Sequence, residues 1–157
     1  MNKSINKNWD IIKQFQKEII LLGQISGLLD WDHQTYMPKE ANKARSEQNA
    51  LMSSIIHLKL TDDSFYNAIQ QLKKEKLDNY NTRLIEKIDK ELNKSRKIPL
   101  HFVKELSMTT SIAFNAWLEA RKKNDFTIFQ PHLEKIVDLK RKLAYYISLY
   151  PNRYDTL

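Results

Sequence analysis

Two glycines and four prolines in 157 residues leave this chain almost nothing with which to turn a sheet. Glycine and proline ordinarily make up roughly 7% and 5% of a sequence, and hairpin-rich folds place them at most of their turns. The sequence therefore predicts an all-α fold. Gly-rich phosphate loops fall to the same argument, since neither G-x-x-x-x-G-K-[ST] nor G-x-G-x-x-G can be written with Gly23 and Gly27. A serine-elbow hydrolase is excluded likewise. With no cysteine there is no disulfide framework, no thiol nucleophile and no thiolate metal site.

A hydrophobic share of 41% beside 29% charged residues is globular in balance. A chain of this size predicts one helical domain, residues 1–157, that buries roughly 70% of its unfolded surface. The net charge of +7 is spread among interspersed acids, and the longest cationic runs, Arg121-Lys122-Lys123 and Lys140-Arg141-Lys142, are three residues long. Phosphate-binding footprints cluster on one face, so a solvated helical surface is expected and a nucleic-acid partner is not. The first residues lack the apolar core of a secretory signal. The densest apolar run, residues 19–29, contains Gln24 and is too short to cross a bilayer. A cytoplasmic protein without membrane contact is the expectation.

Hydrophobic spacing predicts about six helices. In the first, Trp9, Ile12, Phe15, Ile19, Leu22, Ile25 and Leu29 share a stripe, with Ser4 as N-cap and Gly23 and Gly27 marking close approach of another backbone. It should end near Asp30, ahead of a loop that closes at Pro38, because proline disfavours helix at Met37. The second helix carries Ala41, Ala44, Gln48, Leu51, Ile55 and Leu58 on its inner side. Asp62 and its neighbours cap a third helix with Phe65, Ile69 and Leu72, and Asp78-Asn79 breaks it. A fourth carries Leu84, Ile85, Ile88 and Leu92. A fifth, from Pro99 to Lys122, has the stripe Phe102, Val103, Leu106, Thr110, Ala113, Phe114 and Trp117. Pro131 opens a sixth with Leu133, Ile136, Val137, Leu143, Ala144 and Ile147. Residues 150–157 are expected as extended chain or turn.

Few constellations suggest chemistry. Asp30 and Asp32 flank Trp31, and a carboxylate pair beside an apolar ring is one arrangement that supports acid–base work. The simpler role is structural, with the carboxylates capping backbone amides and the Trp31 ring anchored in the junction. His33, His57, His101 and His132 form neither H-x-x-x-H nor H-E-x-x-H, so surface or capping roles are expected. Trp117 and Arg121, four apart, should stack.

The string Asp30-Trp31-Asp32-His33-Gln34-Thr35-Tyr36-Met37-Pro38, followed by Ala41, Ala44, Arg45, Gln48 and Leu51, resembles the opening of the Taq-type thermostable metallocarboxypeptidases. Their pattern is a W-D-x-x-T-x-M-P loop, then spaced alanines, an arginine and a glutamine. The resemblance continues through Lys97-Ile98-Pro99 with Val103, Glu105 and Leu106. It continues again through Ala116-Trp117, Ala120-Arg121, Asn124-Asp125-Phe126, Phe129, Pro131 and Leu133-Glu134-Lys135, and ends at Tyr154-Asp155-Thr156-Leu157. It thus runs in order along most of the chain.

This resemblance implies the N-terminal helical part of a larger all-α metallopeptidase, forming wall and lid of a peptide groove in an enzyme that removes C-terminal residues. Family members run to about three times this length, and their H-E-x-x-H zinc helix and third glutamate ligand have no counterpart in this sequence. No catalytic or metal residue is therefore carried over. Asp30, Trp31, Asp32, Thr35, Met37, Pro38, Arg45, Gln48, Trp117, Arg121, Asn124, Asp125, Phe126 and Pro131 are assigned structural roles. The implied partners are the remainder of the carboxypeptidase, peptide substrates and a second copy in a homodimer, with zinc or another divalent metal in the full-length enzyme and none in this chain. The competing expectation is a non-enzymatic helical interaction module of the same descent.

Overall fold

The computed structural model describes residues 3–148 together with 152 and 155. Within them the chain forms α1 (Lys3–Thr35), a 3-10 turn (Lys39–Ala41), α2 (Asn42–Leu60), α3 (Asp63–Leu72) and α4 (Asn79–Arg96). It continues through α5 (Leu100–Lys123), a second 3-10 turn (Phe126–Ile128) and α6 (Gln130–Ile147). No strand occurs among the described residues, so the fold is all-α.

Local chemistry sets most boundaries. Asp62 accepts the Ser64 amide at 2.8 Å and Asp78 accepts the Asn81 amide at 2.9 Å, each satisfying an N–H that the first turn leaves free. Asn124 ends α5 in the left-handed conformation, with φ 51° and ψ 40°, which asparagine tolerates better than most residues. Pro131 sits in the first turn of α6, where its missing N–H costs nothing.

The apolar core lies where the first half of α1 meets α3 and α4. It comprises Ile12, Phe65, Ala68, Ile69, Leu72, Ile85 and Leu92, with Phe15 stacked on Phe65 at 5.1 Å. Each large side chain there contributes about 1.5–3 kcal/mol of burial. Asp89 is buried between α3 and α4 and accepts from Lys73 Nζ at 2.5 Å and Gln70 Nε2 at 2.6 Å, so its charge is both paired and hydrogen-bonded. Further along, α2 packs lengthwise on α5, and the second half of α1 lies against α2.

Several sequence expectations are corrected. α1 runs on through Asp30, Trp31 and Asp32 to Thr35, because Pro38 constrains only Met37 and leaves the preceding turn free to stay helical. Its end is sealed when the Asp32 carbonyl accepts the amides of Tyr36 at 3.1 Å and Met37 at 3.0 Å. Ser4 lies inside this helix rather than ahead of it. Gly23 and Gly27 face open space, and among the described residues nothing packs closely on them.

The inner face of α2 is also rotated from the expected one. Ser46, Ala50, Ser54 and His57 are buried, whereas Ala44, Gln48, Leu51 and Leu58 are exposed. Short side chains let α2 and α5 approach closely, so small polar residues rather than leucines line that contact. On α5 the matching buried positions are Thr109, Ser111 and Ala113, while Thr110 is exposed. His57 is therefore a buried histidine rather than a surface one. On α6 the buried set is Leu139, Ala144 and Ile147, with Leu133 and Val137 exposed. The expected extended stretch at residues 150–157 lies outside the described residues apart from Asn152 and Asp155.

Candidate functional site

The end of α1, the start of α2 and the middle of α5 bring most of the motif residues into one region. Arg45, in the first turns of α2, directs its guanidinium at the last turns of α1. Nη2 donates to Asp32 Oδ2 at 2.5 Å, Nη1 donates to the Leu29 carbonyl, and Nε donates to Gln48 Oε1 at 2.9 Å. The Arg45 side chain is only 11% exposed, and each of its three nitrogens has a protein acceptor. The planar fork of arginine suits this three-way arrangement, and lysine has no equivalent geometry.

Around this clamp the remaining residues of the first motif complete the turn. Thr35 Oγ1 donates to the Trp31 carbonyl at 2.7 Å, and the Pro38 carbonyl accepts the Ala41 amide at 3.0 Å. Met37 is half-buried beneath the turn. Trp31, by contrast, is 57% exposed and touches the Tyr36 ring edge-on at 5.3 Å. It is not an anchor in the junction. The Asp32 carboxylate accepts from Arg45 and caps no amide among the described residues.

The second group of motif residues gathers at the far end of α5. The Arg121 guanidinium lies 5.2 Å from the Trp117 ring centre, as their spacing predicts. The Asp125 amide donates to the Ala120 carbonyl at 2.9 Å, closing the helix. Asp125 Oδ1 accepts the Thr127 hydroxyl at 2.6 Å and the Thr127 amide at 2.9 Å, and these bonds hold its carboxyl below the usual range. Phe126 is exposed and meets Phe129 edge-on at 6.4 Å. A run of rings joins the two groups: His33 contacts Phe114 at 5.2 Å, and Phe114 contacts Trp117 at 5.8 Å.

Between α1, α2 and α5 opens a cleft of about 330 Å³ lined mainly by polar side chains, among them Asp30, His33, Asn49, Ser107 and Ser111. Ser53 Oγ donates to Ser107 Oγ at 3.0 Å across it, and Asn115 Nδ2 stands 3.3 Å from His33 Nε2. Of these residues the sequence singles out only Asp30 and His33. Polar residues inside a helix leave no periodic signal, which is why Asn49, Ser107, Ser111 and Asn115 escape a reading of the sequence.

Among the described residues no three His, Asp or Glu side chains gather as ligands, whereas zinc needs at least three protein ligands. No helix of the described residues is long and apolar enough to cross a membrane.

Over residues 11–157 the chain matches the carboxypeptidase Taq (M32) metallopeptidase family. The chain belongs to the M32 family. Among its M32 relatives, thermostable carboxypeptidase 1 of Pyrococcus furiosus is 34% identical over 142 residues, covering 90% of this chain and 28% of that protein. The apo-Mg structure of Pyrococcus furiosus carboxypeptidase superposes with a TM-score of 0.75 at 32% identity, over 99% of this chain and 31% of that one. The BsuCP crystal structure gives a TM-score of 0.86 at 27% identity, again over 99% and 31%. The chain thus spans about three tenths of the length of the M32 relatives it matches.

Proposed function

We propose that this chain is the N-terminal helical portion of an M32 metallocarboxypeptidase that removes C-terminal residues from peptides, that it walls the substrate groove, and that it supplies no catalytic group. The observation that carries this reading is the Arg45 clamp. A group that acts on substrate needs a free donor or acceptor facing it, and Arg45 directs Nη1, Nη2 and Nε at Leu29, Asp32 and Gln48. Arg121 lies on Trp117 and Asp125 holds Thr127 in the same self-directed way. The motif fixes the angle between α1 and α2 and the turn after α5. Zinc or another divalent metal belongs, on this reading, to the remainder of the enzyme.

Support for contact with that remainder comes from α1. From Ile20 to Trp31 its outer side carries Ile20 (60% exposed), Leu21, Ile25, Leu28 (67% exposed) and Trp31, while the inner side is packed on α2 and α3. A helix apolar on both sides is normally buried on both. Either the catalytic helices or a second copy in a homodimer covers it.

The test is a peptidase assay on the purified chain, with added zinc and N-blocked dipeptides, beside equilibrium dialysis against zinc. No release of the C-terminal residue and no retention of one zinc per chain are expected. Hydrolysis that a chelator abolishes would overturn the proposal.

A further inference from the structure

We propose that the cleft between α1, α2 and α5 is a binding site for a cationic N–H donor, a guanidinium or alkylammonium group. The first observation is Ser111. This residue is 8% exposed, its Oγ is buried, and among the described residues it is the buried side-chain polar atom without a hydrogen-bond partner. It lines the cleft. A buried hydroxyl left unpaired costs about 1–3 kcal/mol, and a ligand atom in the cleft removes that cost.

The second observation is the charge of the lining. Asp30 contributes a carboxylate that joins no ion pair or hydrogen bond among the described residues. The neighbouring Asp32 is neutralised by Arg45, and among the described residues no lysine or arginine lines the cleft. In a chain of net charge +7 this is a local reversal of sign. An anion finds no counter-charge here. An apolar ligand leaves the Asn49 amide and the Ser111 hydroxyl unpaired. A sugar needs an open aromatic face, and Phe114, the aromatic carbocycle in the lining, is already met by His33 and Trp117.

A cation with several N–H groups satisfies what remains. It places charge at Asp30 and directs its other donors to the Ser111 hydroxyl and the Asn49 amide oxygen. The volume, about 330 Å³, sits at the small end of ligand sites and admits a guanidinium with a short stem. Two sources share this chemistry, a free guanidinium compound and an arginine side chain on a peptide.

The test is a ¹H–¹⁵N NMR titration of the full chain with methylguanidinium and with N-acetyl-arginine amide, using N-acetyl-citrulline amide as the neutral isostere. Saturable shifts at the amides of Asn49, Ser107 and Ser111 are expected with both cations and not with citrulline. Asp30→Asn should weaken binding by about tenfold. Ser111→Ala should weaken it by about threefold while leaving the melting temperature unchanged or raised, because its hydroxyl is unpaired without ligand. Tighter binding of the arginine amide than of methylguanidinium assigns the site to a peptide side chain, and equal binding assigns it to a free guanidinium. Equal shifts with citrulline, an unaltered affinity in Asp30→Asn, or no saturable shift would overturn the proposal and leave a cleft that holds water. Carboxypeptidase activity has no part in this readout, so the site stands or falls apart from the function proposed above.

Discussion

Arg45 Nη2 and Asp32 Oδ2 meet at 2.5 Å across the turn that joins α1 to α2, thirteen residues apart in sequence. Because Arg45 also donates to the Leu29 carbonyl, removing it takes away two bonds that tie the end of α1 to α2, while the bond to Gln48 lies within α2. Arg45→Ala should cost about 2 kcal/mol, the scale of hydrogen bonds to a charged group, discounted because Asp32 is partly exposed. Arg45→Lys should recover less than half of the loss, since an ammonium cannot serve three acceptors in one plane. Urea denaturation of the two variants measures both, and full recovery by lysine would show that charge alone matters.

Trp31 is exposed, so Trp31→Ala should change stability by less than about 1 kcal/mol. A buried ring would cost about 3 kcal/mol or more. Thermal unfolding separates the two, and a large loss would mean that the ring is covered in solution.

How much of this is legible in the sequence depends on what holds each element. Phe65, Ile69 and Leu72 sit inside at the spacing expected of a helix on an apolar core, and Asp62 caps where its type and position predict. The inner face of α2 is not legible, because Ser46, Ala50 and Ser54 are chosen for closeness to α5, and hydropathy points instead to Leu51 and Leu58. The length of α1 is hidden too, because Pro38 acts on one residue while Thr35 and the Asp32 carbonyl carry the helix past the break expected near Asp30. The family resemblance names both Asp32 and Arg45. That they clamp each other is a fact of the turn between the helices, which no spacing rule contains.

His57 gives a pH dependence with a definite sign. Burial holds its imidazole below the ordinary value, opposed by a hydrogen bond to the Ile98 backbone. The unfolded chain therefore takes up the proton first as pH falls below about 6.5, and stability is lost on down through the lower folded value. Melting temperature should drop between pH 7 and pH 5. The carboxylates held low, such as Asp62 and Asp78, lose their contribution only in more acid solution. His57→Gln should flatten the profile across this window, and a parallel fall in wild type and variant would contradict the assignment.

Gly23 and Gly27 lie within α1, and a methyl group added at either would meet no other atom of the described residues within 4 Å. Alanine at either position should raise stability by about 0.5–1 kcal/mol, through helix propensity alone. A loss of stability on substitution would reveal a neighbour packed on this side of α1, and differential scanning calorimetry at low and high protein concentration distinguishes a second copy from an internal contact.

The most direct measurement combines this chain with an M32 carboxypeptidase from which the matching N-terminal third has been deleted, and follows release of C-terminal amino acids from a peptide. The account predicts that neither piece is active alone, that activity appears on mixing, and that Ile25→Asp on the outer side of α1 reduces it. Activity from the 157-residue chain by itself would contradict the account. So would a mixture that stays inactive although the two pieces bind, which would instead favour a helical interaction module without an enzymatic role.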